Sequence, residues 1–114
     1  MSKTVLIIDD DDILRKTLAR GLRSSGFNVL TANSAETAEE ILARTIVGAL
    51  VLDRMMTGMD GLTWLKKLRH QGNNTPTIML TAMTGAENAI DGLANGANDY
   101  LAKPFQLREL ELRL

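Results

Sequence analysis

Chemically capable side chains follow several apolar runs of this 114-residue sequence. Four consecutive aspartates, Asp9 to Asp12, come directly after one such run. Carboxylates in close contact raise one another's pKa unless a cation or a hydrogen-bond donor lies among them. Asp53, Thr81 and Lys103 lie at the ends of three further apolar runs. The first question that the sequence raises is therefore which ligand this set of groups would bind.

Carboxylates together with a few water molecules are what Mg²⁺ prefers as ligands. A cation, a hydroxyl and an ammonium group together would bind the oxygens of a phosphoryl group. These run ends carry no serine, cysteine or histidine, so an aspartate would be the nucleophile of any covalent step. Asp53 is the best candidate because it stands alone after an apolar strand. An acidic residue at a strand end is more often a turn or a helix cap, and Asp12 is predicted to be the N-cap of the first helix.

The elements that would position these residues are strands and helices in strict alternation. Short apolar runs predict strands. Leucines and alanines at helical spacing predict five helices between and after these strands. One helix is predicted to have its N-cap at Ser34, and two others are predicted to end at Gly26 and Gly96. The predicted strands are TVLII (4–8), NVLTA (28–32), ALVL (49–52), TIMLTA (77–82) and DYLA (99–102).

This alternation predicts a doubly wound α/β fold, a five-stranded parallel sheet with helices on both faces. Ligands of such sheets bind at the carboxyl ends of the strands, near the point where the strand order reverses. Asp9, Asp10, Asp53, Thr81 and Lys103 would converge on that edge. Their coincidence at four strand ends favours a functional site over unrelated turns.

Composition limits the alternatives. Hydrophobic residues make up 45% and charged residues 24% of one domain-sized chain, and the net charge of −1 gives no general reason to expect nucleic-acid or membrane binding. The absence of cysteine excludes disulfides and thiolate metal sites. No apolar stretch approaches the ~20 residues of a membrane span, and the N-terminus does not resemble a secretory signal. The sequence therefore predicts a cytoplasmic protein.

Four motifs carry a resemblance over essentially the whole chain. VLIIDDDD, LVLDRMMTGMDGL, TIMLTA and GANDYLAKPF resemble the receiver domain of bacterial two-component response regulators. The resemblance implies the strand order 2-1-3-4-5 of CheY-like, flavodoxin-like sheets. It also implies a signalling domain that is not an enzyme, except that it catalyses its own phosphotransfer and autodephosphorylation. Such a domain accepts a phosphoryl group from a sensor histidine kinase in a Mg²⁺-dependent reaction and then changes conformation.

The resemblance also implies a role for each residue of the site. Asp53 would be the phosphoacceptor, and Lys103 and Thr81 would bind phosphoryl oxygens. Tyr100 would move inward as the aromatic switch when Thr81 is drawn to the phosphate. The Lys103-Pro104 bond would be cis. The implied Mg²⁺ ligands are Asp10 directly, Asp9 largely through water, Asp53, and the backbone carbonyl of Met55.

Three positions near the phosphoacceptor are distinctive. Receivers usually have proline four residues after it, whereas this chain has Thr57, which restores a backbone donor and frees the loop. In receivers, two positions flank the approach of the hydrolytic water, and the resemblance places Met55 and Met83 there. A thioether orients water poorly, so we predict a long-lived phospho-Asp53.

The motifs are closest to the receivers of OmpR/PhoB-type winged-helix transcription factors. The resemblance implies a chain that is a receiver over residues 1–114, cut within its last helix, and that reaches DNA only through an absent C-terminal domain. The histidine kinase would dock on the first helix and the loop around Lys103-Pro104. The basic side chains of that helix, otherwise interpreted as a solvated face, are Arg15, Lys16, Arg20 and Arg23.

A homodimer in this subfamily forms through the fourth helix, fifth strand and fifth helix. The charged positions of that face are here Ala89, Asn95 and Asn98, which leaves Glu109 and Arg113 without the usual cross-subunit partners. The sequence thus weakens the expectation of a dimer.

Other functions stay open at this point. A single-domain phosphorelay protein would share every motif. A hydrolase of the haloacid-dehalogenase type fits Asp9-x-Asp11 loosely, but needs further acidic residues and a cap domain, and would turn over a phosphomonoester. A flavodoxin-like cofactor binder would need a hydroxyl-rich phosphate loop where this chain has four acids.

Overall fold

A computed structural model of the chain describes residues 3–82 and 96–114. Within these ranges there are seven strands and four helices. The strands are β1 (Thr4–Ile8), β2 (Asn28–Ala32), β3 (Ala49–Asp53), β4 (Met55–Met56), β5 (Met59–Asp60), β6 (Thr77–Thr81) and β7 (Asp99–Ala102). The helices are α1 (Asp12–Ser24), α2 (Ala35–Arg44), α3 (Gly61–His70) and α4 (Leu107–Arg113).

The main sheet is parallel and has the order β2-β1-β3-β6-β7. Since β6 and β7 are the fourth and fifth predicted strands, the order 2-1-3-4-5 is confirmed. Each predicted strand is present within one residue of its expected bounds. The two-residue strands β4 and β5 form a small antiparallel hairpin that was not predicted. The helix predicted around Ala89 to Leu93 lies outside the described residues.

The inner strands β1, β3 and β6 are buried on both faces, as their continuous apolar runs predict. Alternate residues of a strand point to opposite faces, and β1 divides accordingly between two hydrophobic cores. Leu6 and Ile8 pack in the core beneath α2 and α3, whereas Val5 and Ile7 pack in the core beneath α1 and α4. Helices on both faces of the sheet are therefore confirmed.

The first helix is capped one residue earlier than predicted. Asp11, not Asp12, is the N-cap of α1, because its backbone is extended and its side chain accepts a hydrogen bond from the Leu14 amide at 3.1 Å. Asp12 is already helical. The cap at Ser34 and the turn at Gly26, whose φ is 96°, are as predicted.

The predicted basic face of α1 is corrected at one position. Lys16, Arg20 and Arg23 are exposed, but Arg15 is buried. Its guanidinium donates to the carbonyl oxygen of Asp9 at 2.9 Å and pairs with Asp12. Arg15 thus ties α1 to the residues after β1. None of the described helices is both long and apolar enough to span a membrane.

Candidate functional site

The predicted site residues lie at the carboxyl ends of adjacent strands. Asp9 follows β1, Asp53 ends β3, Thr81 ends β6 and Lys103 follows β7. These strands are neighbours in the sheet. The parallel register therefore brings residues far apart in the chain to one edge, as the sequence predicts.

Three carboxylates form the acidic part of the site. One oxygen of each of Asp9, Asp10 and Asp53 lies within 4.8 Å of the others. Asp9 is fully buried, Asp53 is 5% exposed and Asp10 is half-buried. The Lys103 ammonium lies 3.3 Å from Asp53 Oδ1 and 3.9 Å from Asp9 Oδ2. The Lys103 ammonium thus lies beside two acids of a largely buried cluster.

Asp9 is the carboxylate that the protein leaves least satisfied. Its Oδ1 accepts a hydrogen bond from the Asp11 amide at 2.9 Å, but its buried Oδ2 has no hydrogen-bond partner in the described part of the chain. Burial raises the pKa of Asp9 to about 6, and the nearby charge of Asp53 adds to this. A buried oxygen without a donor, beside two further carboxylates, fits the ligand set of a hard divalent cation.

Asp10 is satisfied in a different way. Its Oδ2 accepts a hydrogen bond from the Thr57 amide at 2.7 Å. This backbone bond and the Thr57 side chain lower the pKa of Asp10. The donor that Thr57 provides in place of proline is therefore used, and it connects the β4–β5 hairpin to the end of β1. The sequence indicated the donor but not its acceptor.

The hairpin lies close to the phosphoacceptor candidate. The Gly61 amide donates to the Arg54 carbonyl at 2.7 Å, and a Cβ at Gly61 would lie 2.4 Å from the Asp53 carbonyl oxygen. Met55 is 65% exposed, and its amide lies 3.5 Å from Asp53 Oδ1. Glycine at position 61 is thus required by space rather than by its φ angle.

The remaining predicted residues are placed as follows. Thr81 is fully buried, and Tyr100 packs at the border of the core beneath α2 and α3, with a buried hydroxyl that has no partner among the described residues. The Lys103-Pro104 bond is cis, as predicted. Met83, the second position flanking the approach of water, lies outside the described residues. Trp64 is 1% exposed, which confirms its packing role, and His70 is exposed as expected.

The predicted dimer face already contains charge pairs within the chain. Arg113 binds both carboxylate oxygens of Asp99, at 2.7 and 2.8 Å, and lies 3.6 Å from Glu109. Ala89 and Asn95 lie outside the described residues. The cross-subunit role of this face stays a prediction.

The fold and the site together define a class: a doubly wound domain with an acidic site and one lysine at the carboxyl edge of its sheet. The model of the response regulator receiver domain family matches residues 5–114. The chain therefore belongs to this family.

Curated relatives support the assignment. The response regulator MprA of Mycobacterium leprae (strain TN) is 43% identical over 110 residues, which are 96% of this chain and 48% of that protein. MprA of Mycobacterium tuberculosis (strain H37Rv) is 40% identical over 114 residues, which are 100% of this chain and 50% of that protein. The chain thus spans about half the length of the curated relatives it matches.

Solved structures agree. The receiver domain of the Francisella response regulator 1452 has a TM-score of 0.94 at 36% identity, over 98% of this chain and 93% of that chain. The chemotaxis protein CheY4 of Vibrio cholerae has a TM-score of 0.91 at 30% identity, over 99% of this chain and 96% of that chain.

This chain is thus a receiver domain of two-component response regulators and acts in phosphorylation-dependent signalling. Domains of this family are regulatory, interact with sensor histidine kinases and bind Mg²⁺ at an acidic pocket. Membership in the family sets aside the hydrolase and flavodoxin-like alternatives.

Proposed function

We propose that Asp53 accepts a phosphoryl group from a sensor histidine kinase in a Mg²⁺-dependent reaction, and that the resulting conformational change controls transcription. The observation that carries the proposal is the arrangement around Asp53. Its carboxylate is nearly buried, lies 3.3 Å from the Lys103 ammonium and belongs to a cluster of three acids.

In the proposed transfer, a carboxylate oxygen of Asp53 attacks phosphorus, the bond from phosphorus to the donor's imidazole nitrogen breaks, and an acyl phosphate forms. The residues that would hold Mg²⁺ are Asp9, Asp10 and Asp53, with the backbone carbonyl of Met55. The bound cation would neutralise charge that otherwise repels an incoming phosphoryl group.

The basic and hydroxyl groups would respond to the new charge. A phosphoryl group carries close to two negative charges where the carboxylate carried one. The Lys103 ammonium, which now pairs with Asp53, would pair with a phosphoryl oxygen. The Thr81 hydroxyl would donate to another oxygen, and Tyr100 would move inward behind it. This shift is the proposed output of the domain.

The surface between α1 and the loop after β7 would bind the kinase. A cavity of about 380 Å³ opens beside Lys103, and Ile13 on α1 is 81% exposed. An apolar cavity next to the reacting carboxylate suits a partner that must deliver a phosphoryl group there. The cavity is lined by Leu14, Thr17, Leu18, Lys103, Pro104, Phe105 and Leu107.

We infer that the output domain lies outside this chain, because the curated relatives are about twice as long. The motif likeness to OmpR/PhoB-type regulators supports a C-terminal DNA-binding domain in a cytoplasmic protein. A homodimer through the β7–α4 face would need Arg113 to exchange Asp99 for a partner's carboxylate. A single-domain phosphorelay protein is the second candidate, and the sequence after Leu114 distinguishes the two.

The lifetime of the phosphorylated state would depend on Met55 and Met83. Neither thioether can orient a water in line with the acyl phosphate bond, so hydrolysis would be slow for a receiver. The exposed Met55 side chain can cover the approach or simply fill the rim of the site, and the latter role would have no kinetic effect.

Intact-mass measurement tests the central proposal. Incubation with acetyl phosphate or phosphoramidate and Mg²⁺ should add one phosphoryl group to the wild-type protein. Asp53→Asn should abolish the addition, and Asp10→Ala should remove most of its metal dependence. Asp12→Asn is the matched control, because it alters an exposed aspartate outside the cluster and should leave the addition intact. Full modification of Asp53→Asn would contradict the assignment.

A further inference from the structure

The turn of the β4–β5 hairpin has a backbone donor that the turn itself does not use. Met56 pairs with Met59, so Thr57 and Gly58 are the two central residues of the turn. Gly58 has a φ of 77°, whereas Thr57, like every other described residue except glycines, has a negative φ. This combination is typical of a type II turn, whose own hydrogen bond does not use the N–H of its first central residue.

That N–H is directed at the acidic site. The Thr57 amide donates to Asp10 Oδ2 at 2.7 Å across 47 positions of sequence. A hydrogen bond to an ionised carboxylate is stronger than one between neutral groups. The contact holds one oxygen of Asp10 in the conformation in which the three carboxylates lie within 4.8 Å of one another.

We propose that the Thr57 amide is a positioning donor for Asp10. It binds Oδ2 and holds the carboxylate beside Asp9 and Asp53, where the three acids would bind a cation. The donor offsets the repulsion between this half-buried carboxylate and two neighbouring like charges. This inference rests on the proposed function, since it assigns a residue that prepares the same metal site.

Thr57 acts on Asp10 through its backbone amide and through its side chain, and two substitutions separate the two contributions. Thr57→Ala keeps the N–H and removes the hydroxyl, whereas Thr57→Pro removes the N–H. Proline is favoured at the first central position of a type II turn, and the preceding Met56 is in an extended strand, which proline requires. Thr57→Pro should therefore fold, and a cooperative urea unfolding transition checks this.

Binding of Mn²⁺, a paramagnetic substitute for Mg²⁺, measures the effect without any phosphotransfer. In titrations followed by electron paramagnetic resonance, Thr57→Ala should bind within about twofold of wild type. Thr57→Pro should bind about tenfold more weakly, the size expected for one lost hydrogen bond to a charged group. Equal affinity of Thr57→Pro and wild type would overturn the positioning role, and so would an equal loss in Thr57→Ala.

A second measurement uses the metal-free protein. In hydrogen exchange followed by NMR, the Thr57 amide should be protected in wild type and in Asp12→Ala, but exchange at least about tenfold faster in Asp10→Ala. Equal exchange in all three proteins would overturn the contact itself. Failure of wild type to bind Mn²⁺ would overturn the metal site and the positioning role together. If Asp53 is phosphorylated normally and Thr57→Pro binds Mn²⁺ as well as wild type does, only the positioning role is overturned.

Discussion

Replacing Asp9 by asparagine should stabilise the metal-free protein at neutral pH. Asp9 is fully buried, one of its oxygens accepts no hydrogen bond from the described residues, and burial raises its pKa to about 6 from an ordinary value of 3.8. The folded protein therefore retains a proton between pH 4 and 6 that the unfolded chain has lost. The free energy of unfolding must then fall as pH rises through this window and stay lower above it.

The size of the effect follows from the same values. A rise of about two pKa units corresponds to about 3 kcal/mol, because one unit is worth 1.36 kcal/mol. Asp9→Asn removes the ionisation, so it should gain up to about 3 kcal/mol over wild type at pH 7.5. Near pH 4 the two proteins should be similar, since the wild-type carboxyl is then neutral. Loss of the Lys103 interaction at 3.9 Å reduces the gain somewhat.

Urea denaturation in EDTA at pH 4 and pH 7.5 provides the assay. Trp64 is the single tryptophan and is 1% exposed, so its fluorescence reports unfolding. The control Glu40→Gln removes an exposed carboxylate of α2 and should change stability by less than about 0.5 kcal/mol at either pH. If the difference in stability between Asp9→Asn and wild type were the same at both pH values, the pKa of Asp9 would not be raised in the folded protein, and this reasoning would be refuted.

Three further predictions concern the surroundings of the site. Gly61→Ala should lower the free energy of unfolding by about 2 kcal/mol in urea denaturation, because its Cβ would meet a backbone oxygen at 2.4 Å. Thr81→Ala should still accept a phosphoryl group but fail to transmit it; equal chemical-shift changes around Tyr100 in variant and wild type would contradict this. Met55→Asn with Met83→Glu should shorten the acyl phosphate lifetime at least about tenfold in a phosphate-release assay, and an unchanged lifetime would assign both methionines to packing.

The sheet could be predicted closely because its strands carry a strong local signal. Five apolar runs separated by segments of helical spacing are compatible with few sheet topologies. The strand order itself came from the family resemblance. The hairpin of Met55–Met56 and Met59–Asp60 was missed because two-residue strands show no periodicity. The cap was placed one residue late, since consecutive aspartates are equally good N-caps and only the backbone conformation distinguishes Asp11 from Asp12.

The site could be predicted as a list of residues but not as a set of contacts. Strand ends indicated Asp53 and Lys103, because parallel strands end at one edge. The partners of Thr57 and Arg15 depend on how loops and helices return to that edge, and no sequence spacing encodes this. Arg15 was assigned to a solvated face for the same reason: an arginine on a charged helix gives no sign of its burial.

The order of the strands divides the site mechanically. Asp9 and Asp53 are attached to β1 and β3, which are flanked on both sides, whereas Lys103 follows β7, the edge of the described sheet. An edge strand is held by one ladder only, so it can shift at a lower cost than an interior strand. The carboxylates are therefore held on interior strands, and the ammonium is held on an edge strand of the described sheet. A phosphoryl group between the carboxylates and Lys103 would therefore pull on the edge strand β7. That strand can move without disrupting the hydrophobic core.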